Sequence, residues 1–136
     1  VRIVPLKFSK NRALIYMYRP EKLKADLSNS EAESILKDMN YPTKNAEECI
    51  VKLVHRLEDE NSFPHEIGLF LGYPPEDVSG FIEKGARGAK CVGNWCVFGD
   101  EKKALEKFAL YKKCTSLYKK AYCKFNSIDR LIVSGT

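Results

Sequence analysis

A chain of 136 residues has room for one hydrophobic core, and its 44% apolar and 30% charged side chains are ordinary globular proportions that argue against a disordered chain. No apolar run approaches the ~20 residues of a helical membrane span. The net charge of +5 is uneven: residues 1–99 balance at 14 basic and 14 acidic side chains, and the excess, nine basic against four acidic, sits in residues 100–136.

The first strand pair is predicted from Val1–Phe8 and Arg12–Arg19, with Ser9-Lys10-Asn11 as the turn between them. Val1 is not a methionine, so the chain is expected to lack an upstream segment. Pro5 has no N–H to donate and is expected on an edge or at a bulge. Pro20 ends the second strand and opens a short helix with Leu23 and Leu27 on its apolar side. Ser30–Met39 is expected as a second helix, with Ser30 as its cap and Glu33 at capping-box spacing. A third starts after Asn45, with Glu48 at the same spacing, and runs to about Glu60. It gathers Ala46, Ile50, Leu53, Val54 and Leu57 on one face.

The centre of the chain, Phe63 to Val78, reads as a helical corner. Pro64 fits a first turn, Gly72 fits the position after a helix end, and Pro75 opens a second arm running to about Lys84. That arm carries Glu76, Asp77 and Glu83, which would repel phosphate, so its shape does not make it a DNA reader. Lys90–Phe98 is expected as a hairpin around a two-residue Gly93-Asn94 turn. Such a turn sets Cys91 opposite Cys96, with Cα atoms ~4.5 Å apart, within disulfide reach. Five cysteines at irregular spacing point instead to free thiols in a reducing compartment, read as the cytoplasm. Asp100 caps the longest helix, from about Glu101 to Lys124, and Ile128–Val133 closes the chain as a strand or a short helix. The sum is a single α+β domain, with the corner packed on the last helix beside a small sheet.

That last helix has two sides. Ala104, Phe108, Tyr111, Cys114, Thr115, Tyr118, Ala121, Tyr122 and Phe125 form a side expected to be buried, with Lys102, Lys112, Lys113, Lys119, Lys120 and Lys124 opposite. The lysines can dock an anionic partner or nucleic acid, or simply face solvent. The lack of aromatic residues among them weighs against nucleic acid.

Cys114 can be core packing or a nucleophile. As a nucleophile it needs a base, and the candidate is His65, beside Glu66 at the start of the corner. Alternatively His65 caps its own helix and Glu66 favours the helix dipole. His55 leaves the apolar stripe of its helix and reads as a surface residue. Cys91 and Cys96 are spaced more widely than the usual structural zinc pairs, so no metal site is assigned. No phosphate-cradling glycine loop, nucleophile elbow or dinucleotide fingerprint is present, and no cofactor is indicated.

Four blocks, Arg12–Pro20, Phe63–Val78, Gly93-Asn94-Trp95 and Tyr111–Thr115, resemble an uncharacterised, mainly bacterial family, the domain of unknown function 3793, over nearly the whole chain. The resemblance implies no established activity. It marks His65, Glu66, Tyr73, Asp77, Cys114 and Thr115 as motif positions. It also implies that relatives begin further upstream with a cysteine-containing segment and carry lysine in place of Cys96, which weakens a metal role there. The expectation is a small cytoplasmic bacterial domain that binds a ligand or protein partner through Tyr73, Asp77, Thr115 and Arg19. A thiol-dependent enzyme using Cys114, His65 and Glu66 is the alternative, and nucleic-acid binding through the basic helix face a second. An exposed apolar patch around Trp95 and Phe98 would instead predict a partner protein or a homo-oligomer.

Overall fold

Strands β1 (Arg2–Ser9) and β2 (Arg12–Tyr18) pair antiparallel in the computed structural model, which describes residues 1–133. Ser9 pairs with Arg12, so Lys10-Asn11 makes the turn. The register shifts between Pro5 and Lys7, a bulge that absorbs the residue without an N–H. Leu6 and Tyr16 are buried, while Ile3, Ile15 and Met17 remain exposed on the hairpin.

Helices α1 (Pro20–Leu27), α2 (Ser30–Asp38) and α3 (Ala46–Glu58) close over the buried side of that hairpin. Leu23, Leu27, Leu36, Ile50, Leu53 and Leu57 join Leu6 and Tyr16 in one core. Capping is supplied by asparagine. Asn29, not Ser30, starts α2: its side chain accepts from Glu31 and Ala32 N–H, and its carbonyl takes the helix's bond from Glu33 at 2.8 Å. Asn45 caps α3 as expected.

The corner is α4 (Ile67–Phe70) and α5 (Pro75–Lys84). Gly72 has φ +75°, which any side chain would strain, and Tyr73 N–H reaches back to Gly68 O while Gly72 N–H reaches Leu69 O. That paired-bond stop lets the chain reverse after one helical turn and enter α5 at Pro75. Tyr16 O–H donates to Phe70 O and fixes the corner to the sheet.

Strands β3 (Cys91–Val92) and β4 (Cys96–Val97) correct the predicted hairpin. Cys91 pairs with Val97 and Val92 with Cys96, so the loop is three residues, Gly93-Asn94-Trp95. Trp95 leaves the ladder because its indole is buried. A one-residue change of register moves a side chain to the other face, so Cys91 and Cys96 do not oppose each other, and both are free thiols. Trp95 is 7% exposed, which also removes it from the apolar patch expected at the surface.

Helix α6 (Glu101–Phe125) starts at Asp100, whose side chain accepts from Lys103 N–H. Ala104 joins Trp95 and Val97 in a second, smaller core, with Tyr73, Phe108 and Tyr111 against it. The burial predicted for a whole side of α6 is not found. Ala104 is its buried residue, while Tyr118 and Tyr122 are 43% and Phe125 44% exposed. The corner meets the start of α6 as expected, with Tyr73 against the small core that holds Ala104 and Gly72–Pro75 beside Lys107, and the Trp95 indole is wedged between Tyr73 and Phe108. After α6 the chain makes a 3-10 turn, Asp129–Leu131, too short to cover the helix. Among the described residues no helix is long and apolar enough to cross a membrane, and no three His, Cys, Asp or Glu side chains gather to hold a metal ion.

Candidate functional site

Asp77 lies in the first turn of α5 and is 2% exposed. Its Oδ2 accepts from Trp95 Nε1–H at 2.7 Å, and its Oδ1 accepts from Phe98 and Gly99 N–H at 2.9 and 2.8 Å. A buried carboxylate is tolerated when donors surround it, and here the donors come from the β3–β4 hairpin and the strand end behind it. Asp77 thereby clamps the hairpin to the corner. The Trp95 ring stacks on Tyr73 at 4.7 Å and meets Phe108 edge-on at 4.6 Å. A methyl on Gly93 would run into the Phe108 ring, so the loop needs glycine where it crosses α6.

Between the clamped hairpin and the corner lies a cleft of about 310 Å³. Its walls include Phe63, His65, Tyr73, Phe81, Trp95 and Cys96. The His65 ring packs edge-on against Phe81 at 5.0 Å and beside Phe63 at 5.5 Å. Burial, and then the neighbouring Tyr111, raise the Tyr73 phenol above its ordinary value, so it presents a neutral O–H. The cleft therefore offers flat apolar faces, one imidazole and one thiol.

Glu66 does not take part. It is 1% exposed and accepts from the Tyr41 O–H at 2.8 Å and from the Arg56 guanidinium, with which it forms an ion pair. Burial, then Glu66, push the Tyr41 phenol far above its usual range. Burial alone would lower the Arg56 pKa, but the Glu66 carboxylate and the Tyr41 hydroxyl together outweigh it and the net direction is up. Adjacent residues in the turn before α4 point to different surroundings: His65 is exposed at the cleft, Glu66 is buried behind it.

The family model described as "Protein of unknown function (DUF3793)" matches residues 1–132. The chain belongs to that family. No curated protein and no solved structure matches it. In this DUF3793 domain the sequence-predicted positions fall into separate places. His65, Tyr73 and Asp77 line the cleft, although the Asp77 carboxylate is spent on the hairpin. Cys114 is half-buried on α6 and is not part of the cleft wall, so the thiol that shares a cleft with His65 is Cys96. Thr115 lines a shallow groove along α6 with Tyr111, Lys112 and Lys119. Those two lysines flank the aromatic side instead of opposing it, a correction that follows from their helical angle. Arg19 donates to Val133 O at 2.7 Å and lines a hollow of about 330 Å³ with Tyr16, Tyr18 and Lys22. Phe63, Phe81, Trp95 and Cys96 were not selected as site residues. The single tryptophan among the 11% aromatic residues was the one available signal.

Proposed function

We propose that this DUF3793 domain binds a small, planar, largely apolar molecule in the cleft between the corner and the β3–β4 hairpin. The carrying observation is the concentration of ring faces from Phe63, His65, Tyr73, Phe81 and Trp95 around about 310 Å³. Small-molecule sites are typically concave, roughly 300–1,000 Å³, mostly apolar, and oriented by few polar groups. The His65 imidazole and the Tyr73 hydroxyl would supply that orientation. A reducing bacterial cytoplasm suits the free thiols Cys91 and Cys96, which would otherwise be prone to oxidise. What weighs against a thiol enzyme built on Cys114 is that His65 lines the cleft and Cys114 does not, while Glu66 is already paired with Arg56.

Trp95 is the one tryptophan, so energy transfer from indole to anilinonaphthalene sulfonate reports on probe bound beside the cleft. Titration is expected to give one saturable phase that Phe81→Ala and His65→Ala each weaken roughly tenfold, as loss of a ring or anchor in a small pocket should. Circular dichroism of both variants should match the parent. Transfer that never saturates, or that ignores both substitutions, overturns the assignment.

A further inference from the structure

Helix α6 is 25 residues, and at ~1.5 Å rise per residue it is about 37 Å long. Among the described residues its N-terminal half packs on the small core through Ala104, Phe108 and Tyr111, and its far end meets the 3-10 turn. Beyond Tyr111 the same stripe stays largely exposed among the described residues. Ala104, Phe108, Tyr111, Thr115, Tyr118, Tyr122 and Phe125 are spaced alternately four and three residues apart, the 3.5-residue repeat of a helix that meets another helix. Lys112 and Lys119 stand directly after Tyr111 and Tyr118, on one flank of the stripe, and Lys107 stands before Phe108 on the other. Beyond Glu106, residues 107–125 hold six lysines and no acidic residue. Arg130, from the 3-10 turn, adds a further cation 4.9 Å over the Phe125 ring.

From these we infer that the outer part of α6 docks an acidic amphipathic helix, whose apolar residues follow the same three-four spacing and whose Asp and Glu residues face Lys107, Lys112 and Lys119. The spacing selects a helix as occupant, because a regular 3.5-residue stripe presents holes for knobs at the same interval. The charge selects its sign. A second copy of this chain fits poorly, because no pairing of the 107–125 stretches sets an acid against those lysines, and like charges at flanking positions are unfavourable. The groove bounded by Asn94, Phe108, Tyr111, Lys112, Thr115 and Lys119, about 610 Å³, marks where such a helix would begin beside the hairpin tip. This surface is distinct from the cleft, and its occupant is independent of the cleft ligand.

The test uses the folded protein and a capped synthetic helix of roughly three heptads, with leucine at the two apolar positions and glutamate at both flanks. The peptide is expected to bind, and Tyr118→Ser with Tyr122→Ser, both on exposed positions, to weaken it at least roughly tenfold. Lys112→Glu with Lys119→Glu should abolish binding of the glutamate peptide and create binding of its lysine-flanked counterpart. Binding that persists through the tyrosine pair, or no exchange of preference on charge reversal, overturns the inference. So does binding of a thymidine oligonucleotide with none of the peptide, or a dimer in sedimentation that Tyr118→Ser dissolves.

Discussion

Asp77 and Glu66 are both buried acids in the same corner, and their partners separate their roles. Asp77 accepts hydrogen bonds from an indole and two backbone N–H groups, so its work is to hold a loop. Glu66 pairs with Arg56 and Tyr41 from α3 and the segment before it, so its work is to hold the corner onto the helices. Asp77→Asn is informative because it changes few atoms. One oxygen can still accept from Phe98 and Gly99, but the new NH2 then faces the Trp95 N–H, and two donors meet. We expect a loss of about 2–3 kcal/mol, the cost of an unsatisfied buried polar group, with a red shift of Trp95 emission as the indole loosens. Urea denaturation and fluorescence of the variant measure both, and an unchanged spectrum with unchanged midpoint contradicts the clamp.

The β3–β4 hairpin is only two residues long on each strand, too short to stand by itself. What holds it is Asp77 on one side and the contact of Gly93 and Trp95 with Phe108 on the other. Gly93→Ala is therefore expected to push α6 and the hairpin apart and cost roughly 1–3 kcal/mol through overpacking. Phe108→Leu in the same chain should restore part of the loss by clearing the ring, a rescue that ordinary helix propensity would not give. Equilibrium unfolding of the single and double variants decides it: additive losses would remove Phe108 as the cause. At this scale α6 also departs from its prediction. Its apolar stripe was legible from spacing, but spacing cannot say how much lies opposite, and among the described residues the hairpin and Tyr73 cover its first half while the 3-10 turn touches its far end.

The core of the whole molecule includes a thiol and two phenols that burial keeps protonated. Burial, then Glu48, push the Cys49 thiol from its ordinary 9.0 up to about 11, and burial raises Tyr16 and Tyr41 above their ordinary 10.0. A raised pKa means the folded state holds a proton that the unfolded chain releases first. Stability from these groups is complete below pH 9 and falls as pH rises, from 9 to about 11 for Cys49 and from 10 upward for the tyrosines. The denaturation midpoint should stay level from pH 7 to 9 and then decline. Cys49→Val should flatten the segment between pH 9 and 10, where the tyrosines do not yet titrate, and a slope unchanged in that variant would assign it elsewhere.

The hairpin of β1 and β2, the three asparagine and aspartate caps near 29, 45 and 100, the glycine stop at Gly72 and the length of α6 follow from local rules, and all but the exact cap of α2 were readable in chain order. His65, Tyr73 and Asp77 were also marked as site positions and do share one cleft. The chain could not show that Glu66 turns away from His65, that Cys96 replaces Cys114 at the cleft wall, or that Trp95 widens its own loop to reach a buried carboxylate. Local order is set by neighbours three or four residues apart, whose spacing is written in the chain. Which side chains meet across the corner, the hairpin and α6 depends on how separately formed elements divide a limited buried volume, and only their packing together decides it.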